Sequence, residues 1–199
     1  MRLQPLIVPG WNGSGPEHWQ SRWEATLPRA QRVEQTDWRA PERADWTLRL
    51  AQAIDASSRP PLLIAHSLGC ITVAHLPFPV RQKVAAALLV APADVERDGA
   101  PQHLSSFAPV PRVGLGFPTI VVASTNDPYC ALARAQAFAA DWGGDLVVLE
   151  HAGHINADSG LDDWPQGQRL LASLRRRCRW RIPMAPADRI AAMPTPIHD

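Results

Sequence analysis

Hydrophobic residues along this chain fall into short continuous runs, separated by stretches in which they recur every three or four positions. The continuous runs predict β-strands over residues 6–8, 62–65, 84–90, 119–123 and 146–149, with a weaker candidate at 32–35. A strand that is apolar at every position, and not only at alternate ones, is typical of a parallel sheet covered on both faces. The pattern therefore predicts a mostly parallel sheet with helices on both sides.

Helical periodicity fills the intervals between the predicted strands. Trp46, Leu50 and Ile54, for example, are spaced as on one face of a helix. Helices are predicted over residues 16–27, 42–56, 68–76, 131–142 and 166–177, with Pro77 and Pro79 ending the third. Regular alternation of strand and helix places the chain in the α/β class, as a compact single domain over residues 1–181.

Two segments lack such a pattern. Residues 94–117 show no periodicity and carry several prolines, and an unstructured connection of that length in a compact domain is usually functional or mobile. Residues 182–199 are rich in proline and alanine. We expect them to form a separate, loosely held tail.

Composition excludes several classes of function. The chain has 199 residues and a formal net charge of +1, so bulk charge points neither to nucleic acid nor to a membrane surface. The arginine-rich run 175–181 is interpreted as the cationic end of the last helix. No apolar stretch approaches the ~20 residues that span a bilayer, and no signal-peptide pattern opens the sequence, so a cytoplasmic protein is expected.

The three cysteines are widely spaced and odd in number. Disulfide frameworks and zinc sites usually show closely spaced pairs. The sequence therefore predicts free thiols, and it indicates neither a metal site nor a cofactor.

The most informative motif is Ala65-His66-Ser67-Leu68-Gly69, which lies between a predicted strand and a predicted helix. A serine in this setting, with glycine two positions later, is typical of a nucleophile elbow, whose tight turn exposes the hydroxyl at the sheet edge. The usual first glycine is Ala65 here, and alanine is small enough for the turn. The alternative interpretation is a serine that only caps the helix.

A serine nucleophile needs a base to take its proton and a third group to orient that base. In a parallel sheet such groups lie at the carboxyl ends of different strands. Asp127 follows the strand 119–123 and His154 follows the strand 146–149. The chain order Ser67, Asp127, His154 is that of the α/β-hydrolase fold.

Other residues could fill the same roles. Asp94 follows the strand 84–90 and could supply the acid, and His151 could be the base. An aspartate before proline, as at Asp127, is also a common turn former. His66 is expected to point away from the serine hydroxyl and to pack or hydrogen-bond beneath the turn.

The loop after the first strand, residues 10–15, is rich in glycine. We predict an oxyanion hole formed by the backbone N–H groups of Trp11 and Leu68. The glycines could instead cradle a phosphate, but the spacing is not G-x-G-x-x-G and no Gly-Lys-Ser/Thr follows. The candidate pocket residues are Trp11, Asn12, Asp94, Phe107 and Phe117, the last two as part of an apolar wall from the segment 94–117.

Four stretches together resemble a small serine hydrolase family related to retinoblastoma-binding protein 9 and to bacterial YdeN-type proteins. They are residues 8–14 with Glu17-His18-Trp19, residues 66–70, residues 124–129 and residues 153–156. The resemblance extends from about residue 6 to residue 174. It implies an α/β-hydrolase with little or no cap domain, and it carries the catalytic roles to Ser67, Asp127 and His154.

The leading hypothesis is a serine hydrolase that cleaves a small ester, with a small-molecule substrate and no cofactor. A second hypothesis is a binding module that keeps the fold but acts through contacts with a partner protein. A nucleotide-binding α/β protein is the third. The sequence identifies neither the substrate nor the oligomeric state.

Overall fold

The structure, a computed structural model, describes residues 3–179. Its six strands are β1 (Gln4–Val8), β2 (Gln31–Arg32), β3 (Pro61–His66), β4 (Ala86–Val90), β5 (Thr119–Ser124) and β6 (Asp145–Leu149). The α-helices of this part of the chain are α1 (Trp19–Thr26), α2 (Arg43–Asp55), α3 (Leu68–Ala74), α4 (Phe78–Arg81), α5 (Leu132–Trp142) and α6 (Pro165–Arg179). Short 3-10 helices span Gln102–Phe107 and Ala157–Ser159.

The strands form a single sheet in the order β2-β1-β3-β4-β5-β6, and every neighbouring pair is parallel. The chain begins in β1, moves outward to β2 and then returns to β3 on the other side of β1. In open α/β sheets, ligands bind at the carboxyl edge where the direction of winding reverses. The turn after β3, which carries Ser67, lies at this point.

Helices cover both faces of the sheet. Leu63 and Ala65 of β3 face a core that includes residues of α2, α3 and α5. Leu62 and Ile64, the alternate residues, face a second core built with α1 and α6. Burial on both faces is the reason that the central strands β3 and β4 are almost entirely apolar, so the predicted fold class is confirmed.

Several predicted boundaries need correction. Helix α1 begins at Trp19, and not at residue 16, because the side chain of His18 caps it. Pro79 does not end a helix: it lies in the first turn of α4, where proline needs no intrahelical N–H partner. The segment 94–117 is partly ordered by the 3-10 helix Gln102–Phe107. The predicted tail and the domain boundary at residue 181 lie outside the described residues.

Within residues 3–179, no helix combines the length and the apolar character needed to cross a membrane.

Gly69 lies where α3 approaches the sheet closely. A Cβ atom built on it would lie 2.3 Å from the carbonyl oxygen of Val8 and 2.7 Å from that of Pro9. These are backbone atoms and cannot rotate away. A residue without a side chain is therefore required for α3 to start directly after Ser67.

We expect Gly69→Ala to lower the free energy of unfolding by at least about 3 kcal/mol, because the added methyl group overpacks a rigid site. Urea denaturation followed by circular dichroism measures this loss. Gly114→Ala is the matched control, because a Cβ atom there meets no atom within 4 Å. Equal stability of the two variants would contradict the packing argument.

Candidate active site

Ser67 occupies the turn between β3 and α3 in a backbone conformation that L-residues rarely adopt. Its φ is 54° and its ψ is −122°. A non-glycine residue held at such an angle costs on the order of 1–3 kcal/mol and needs support from its surroundings. That support includes the Ser67 backbone N–H, which donates to the Val90 carbonyl at 3.0 Å, and the Cys70 N–H, which donates to the Ser67 carbonyl at 2.9 Å.

The side chains of Ser67, His154 and Asp127 form a continuous hydrogen-bonded chain. Nε2 of His154 lies 2.9 Å from Oγ of Ser67. Nδ1 of the same ring lies 2.9 Å from each carboxylate oxygen of Asp127. A carboxylate only accepts, so Nδ1 carries the proton, and Nε2 of the neutral ring accepts from the serine hydroxyl.

The acid and the base are both largely buried, but only the base lines the cavity described below. The side chain of Asp127 is 2% exposed and that of His154 is 8% exposed. Oδ1 of Asp127 also accepts from the Tyr129 backbone N–H at 2.8 Å, which orients the carboxylate. Thus the acidic group is enclosed and oriented, and the imidazole reaches the cavity.

The loop that carries His154 is tied to the end of β5 through Ser124 and Asn126. Oγ of Ser124 accepts from the Ala152 N–H at 2.9 Å and donates to Oδ1 of Asn126 at 2.9 Å. The same Oδ1 accepts from the Gly153 N–H at 2.8 Å. These hydrogen bonds therefore join the loop of the base to the loop of the acid.

Two aromatic side chains hold the loop from the other side. Nε1 of Trp19 donates to the Ile155 carbonyl at 2.8 Å. Nε2 of His66 donates to the carbonyl of His154 at 2.9 Å. His66 thus hydrogen-bonds beneath the turn, as predicted for it.

His18, His66 and His154 form a row of imidazoles beside Ser67. The ring centroids of His18 and His66 are 4.7 Å apart, and those of His66 and His154 are 4.9 Å apart. Burial, helped by the Arg32 charge, lowers the pKa of His18 to about 4. Burial and the neighbouring histidines lower the pKa of His66 well below its usual value. Both rings are therefore neutral at physiological pH.

The backbone N–H groups of Trp11 and Leu68 are the donors predicted for an oxyanion hole. Among the described residues, the N–H groups of Trp11 and Leu68 donate no hydrogen bond. By contrast, the Asn12 N–H donates to the Trp38 carbonyl, and the Gly13 N–H donates to the Gly10 carbonyl. A Cβ atom on Gly10 would lie 2.7 Å from Cβ of Ser67 and 3.2 Å from N of Leu68. The loop after β1 therefore touches the Ser67 turn.

A cavity of about 320 Å³ opens above Ser67. Its lining comes from residues within 11–18, 66–68, 93–104 and 154–157, with Tyr129. Trp11, Asn12 and Leu68 belong to this lining. The ring of Tyr129 stands edge-on to His154 at 4.6 Å and forms part of the rim.

The other predicted pocket residues lie elsewhere. Phe107 and Phe117 are 0% and 6% exposed and belong to the hydrophobic core, so the structure does not place them in the cavity. Asp94 lies 3.4 Å from Nε of Arg134, in a separate groove, and does not contact His154. His151 is exposed, and its backbone N–H donates to Thr125.

Sequence reasoning missed several residues that build the site. Gln20 is fully buried and donates to the carbonyls of Val8 and Ile64, while it accepts from Ser14. It thereby attaches the loop after β1 to the sheet. Glutamine on the buried face of an amphipathic helix was the signal that could have identified it.

The described residues contain no group of three or more His, Cys, Asp or Glu side chains arranged to hold a metal ion. Cys70 and Cys130 are buried free thiols. Burial raises the pKa of Cys70 well above its usual value, and burial with the Asp127 charge raises that of Cys130 to about 12. Neither sulfur is suited to act as a nucleophile at neutral pH.

A family model for serine hydrolases matches residues 5–173. The chain belongs to this serine hydrolase family. Membership makes the protein a hydrolase, and the resemblance to YdeN-type proteins is confirmed by a solved structure. A YdeN-like protein from Pectobacterium atrosepticum is 33% identical, with 89% of this chain and 92% of that chain covered and a TM-score of 0.79.

Other solved structures share the fold of this serine hydrolase at lower identity. The ydeN gene product of B. subtilis is 21% identical over 88% of this chain and 100% of that chain, with a TM-score of 0.64. An esterase domain from Rhodothermus marinus is 18% identical over 87% of each chain, also with a TM-score of 0.64. The search of curated proteins gave no match.

We expect the stability of this serine hydrolase to fall in acid. His18 and His66 stay neutral in the folded protein at pH values at which an unfolded chain is protonated. Below the ordinary histidine pKa of about 6.5, the free energy of unfolding should drop by up to about 1.4 kcal/mol per pH unit for each such ring. For His18, this loss ends near its folded-state pKa of about 4.

Urea titrations between these pH values measure the slope. His18→Asn should reduce it, because one neutral buried imidazole is removed. His151→Gln is the control and should leave the slope unchanged, because His151 is exposed. Identical slopes in wild type and His18→Asn would contradict the assignment.

Proposed function

We propose that this serine hydrolase cleaves a small carboxylic ester through an acyl-enzyme on Ser67. The observation that carries the proposal is the unbroken chain of 2.9 Å contacts from Ser67 through His154 to Asp127. Nucleophile, base and orienting acid within hydrogen-bond reach form the arrangement that activates a serine hydroxyl.

In the first half-reaction, Oγ of Ser67 attacks the acyl carbon and its proton passes to Nε2 of His154. The tetrahedral oxyanion receives hydrogen bonds from the backbone N–H groups of Trp11 and Leu68. The bond between the acyl carbon and the alcohol oxygen then breaks, and His154 returns its proton to the leaving alcohol.

In the second half-reaction, a water molecule gives its proton to His154 and attacks the acyl-enzyme. The bond to Ser67 Oγ breaks, the acid leaves, and the serine regains the proton. Asp127 holds the imidazole with Nδ1–H toward the carboxylate and stabilises its charged form throughout. The original serine proton leaves with the alcohol and a proton from water replaces it, so the enzyme regains its starting protonation state without a cofactor.

An ester is proposed as the substrate because an alcohol leaves more readily than an amine. The esterase domain from Rhodothermus marinus, which shares the fold, is consistent with this choice. The cavity of about 320 Å³ suits a small molecule.

We expect Ser67→Ala to abolish covalent labelling by a fluorophosphonate probe, because no other described side chain is paired with His154 Nε2. The variant should keep the fold, since alanine only removes the hydroxyl. Gel fluorescence measures labelling and circular dichroism checks folding.

Ser105→Ala is the matched control, because that serine is exposed and lies outside the cavity lining. It should be labelled like wild type. Undiminished labelling of folded Ser67→Ala would reject Ser67 as the nucleophile. Absence of labelling in folded wild type would favour a binding module without hydrolase chemistry.

A further inference from the structure

His18 occupies the junction between the glycine-rich loop and α1. Its Nδ1 accepts a hydrogen bond from the Gln20 backbone N–H at 3.1 Å and so caps the helix. Because Nδ1 accepts, the proton of the neutral ring lies on Nε2. The ring of His18 therefore presents an N–H donor at Nε2.

That donor has no partner among residues 3–179. Nε2 of His18 forms no hydrogen bond with any described residue, although the residue is only 5% exposed. A buried polar group without a partner costs about 1–3 kcal/mol. The cap requires only Nδ1, so the helix does not account for the second nitrogen.

The ring of His18 lines the same cavity as Ser67 and His154. The ring of His66 contacts both His18 and His154, so one ring separates His18 from the base. An oxygen that receives the Nε2 proton therefore belongs to a part of the substrate other than the scissile carbonyl.

The polar side chains of the cavity favour a substrate that carries hydrogen-bond acceptors. The described lining contains no aspartate or glutamate side chain, and it includes Asn12, Arg97 and Asn156, which all carry N–H donors. The guanidinium of Arg97 lies over the ring of Tyr129 at 5.4 Å, at the rim. The low pKa of His18, about 4, keeps its ring a neutral donor at physiological pH.

We propose that His18 binds the substrate by donating its Nε2–H to a second oxygen of the ester, such as a ketone, hydroxyl or carboxylate oxygen. The proposal rests on the proposed esterase function and names its substrate class, an oxygenated ester in preference to a plain alkyl ester. His18 then has two separate roles, a helix cap through Nδ1 and a specificity contact through Nε2.

Two variants separate these roles. The amide of His18→Asn places an acceptor near the position of Nδ1, so it keeps the cap and removes the donor. The longer amide of His18→Gln places an N–H near the position of Nε2, so it keeps the donor and loses the cap. The activity readout is kcat/KM for the nitrophenyl esters of pentanoic acid and of its ketone and carboxylate analogues, levulinic and glutaric acid.

We expect wild type to prefer at least one oxygenated ester. His18→Asn should lower that preference roughly 10-fold, mainly through KM, at nearly unchanged stability. His18→Gln should keep the preference and lose about 1 kcal/mol of stability through the missing cap. The substrate preference should therefore fall in His18→Asn, and the stability should fall in His18→Gln.

A purely structural His18 gives the other pattern. Activity toward all three esters would then follow stability, so His18→Gln would be the weaker enzyme. The preference for oxygenated esters would be the same in wild type and both variants. That result would overturn the proposal. Fluorophosphonate labelling of each variant keeps the tests distinct. If the variants are labelled but their substrate preference is unchanged, only the proposed role of His18 is rejected. If wild type is not labelled, the esterase function itself is rejected.

Discussion

The backbone of Ser67, held at a φ of 54°, is the constraint on which the site depends. This conformation turns the chain from β3 into α3 within one residue and leaves the hydroxyl above the sheet edge. It is possible only because Gly69 has no side chain to meet the Val8 and Pro9 carbonyls, and because Gly10 has none to meet Ser67. Strain at one residue is thus balanced by close packing around it.

Convergence of the other two side chains follows from the parallel sheet and from cross-links between its loops. Strand ends alone bring the loops after β5 and β6 to the same edge. Ser124 and Asn126 then join the two loops, and Trp19 and His66 fix the carbonyls of Ile155 and His154. Hydrogen bonds to the backbone of residues 152–155 therefore position the loop of His154, separately from the hydrogen bonds of its ring nitrogens.

Local pattern was sufficient to predict much of this molecule. The central residues of β3 and β5, 62–65 and 120–123, are all apolar because both faces of these strands are buried. Ser67, Asp127 and His154 were recognised because each lies shortly after a strand. The bounds of α2 were predicted within one residue. These features depend on short stretches of sequence.

Features that depend on distant contacts were not predicted. Phe107 looked like a pocket residue, but Trp46 and His75 contact it in the core. The partners of His66 and Gln20 come from other strands and loops, so spacing along the chain carries no signal for them. Periodicity also gave no indication that Asp94 pairs with Arg134.

The claim that Asp127 completes the site with His154 and Ser67 is tested most directly by the turnover of Asp127→Asn against that of Asp94→Asn, measured with one nitrophenyl ester. The account predicts a loss of about 10,000-fold for Asp127→Asn, because the amide favours the wrong imidazole tautomer. Asp94→Asn should stay within a few fold of wild type. Equal losses, or the larger loss at Asp94, would contradict it.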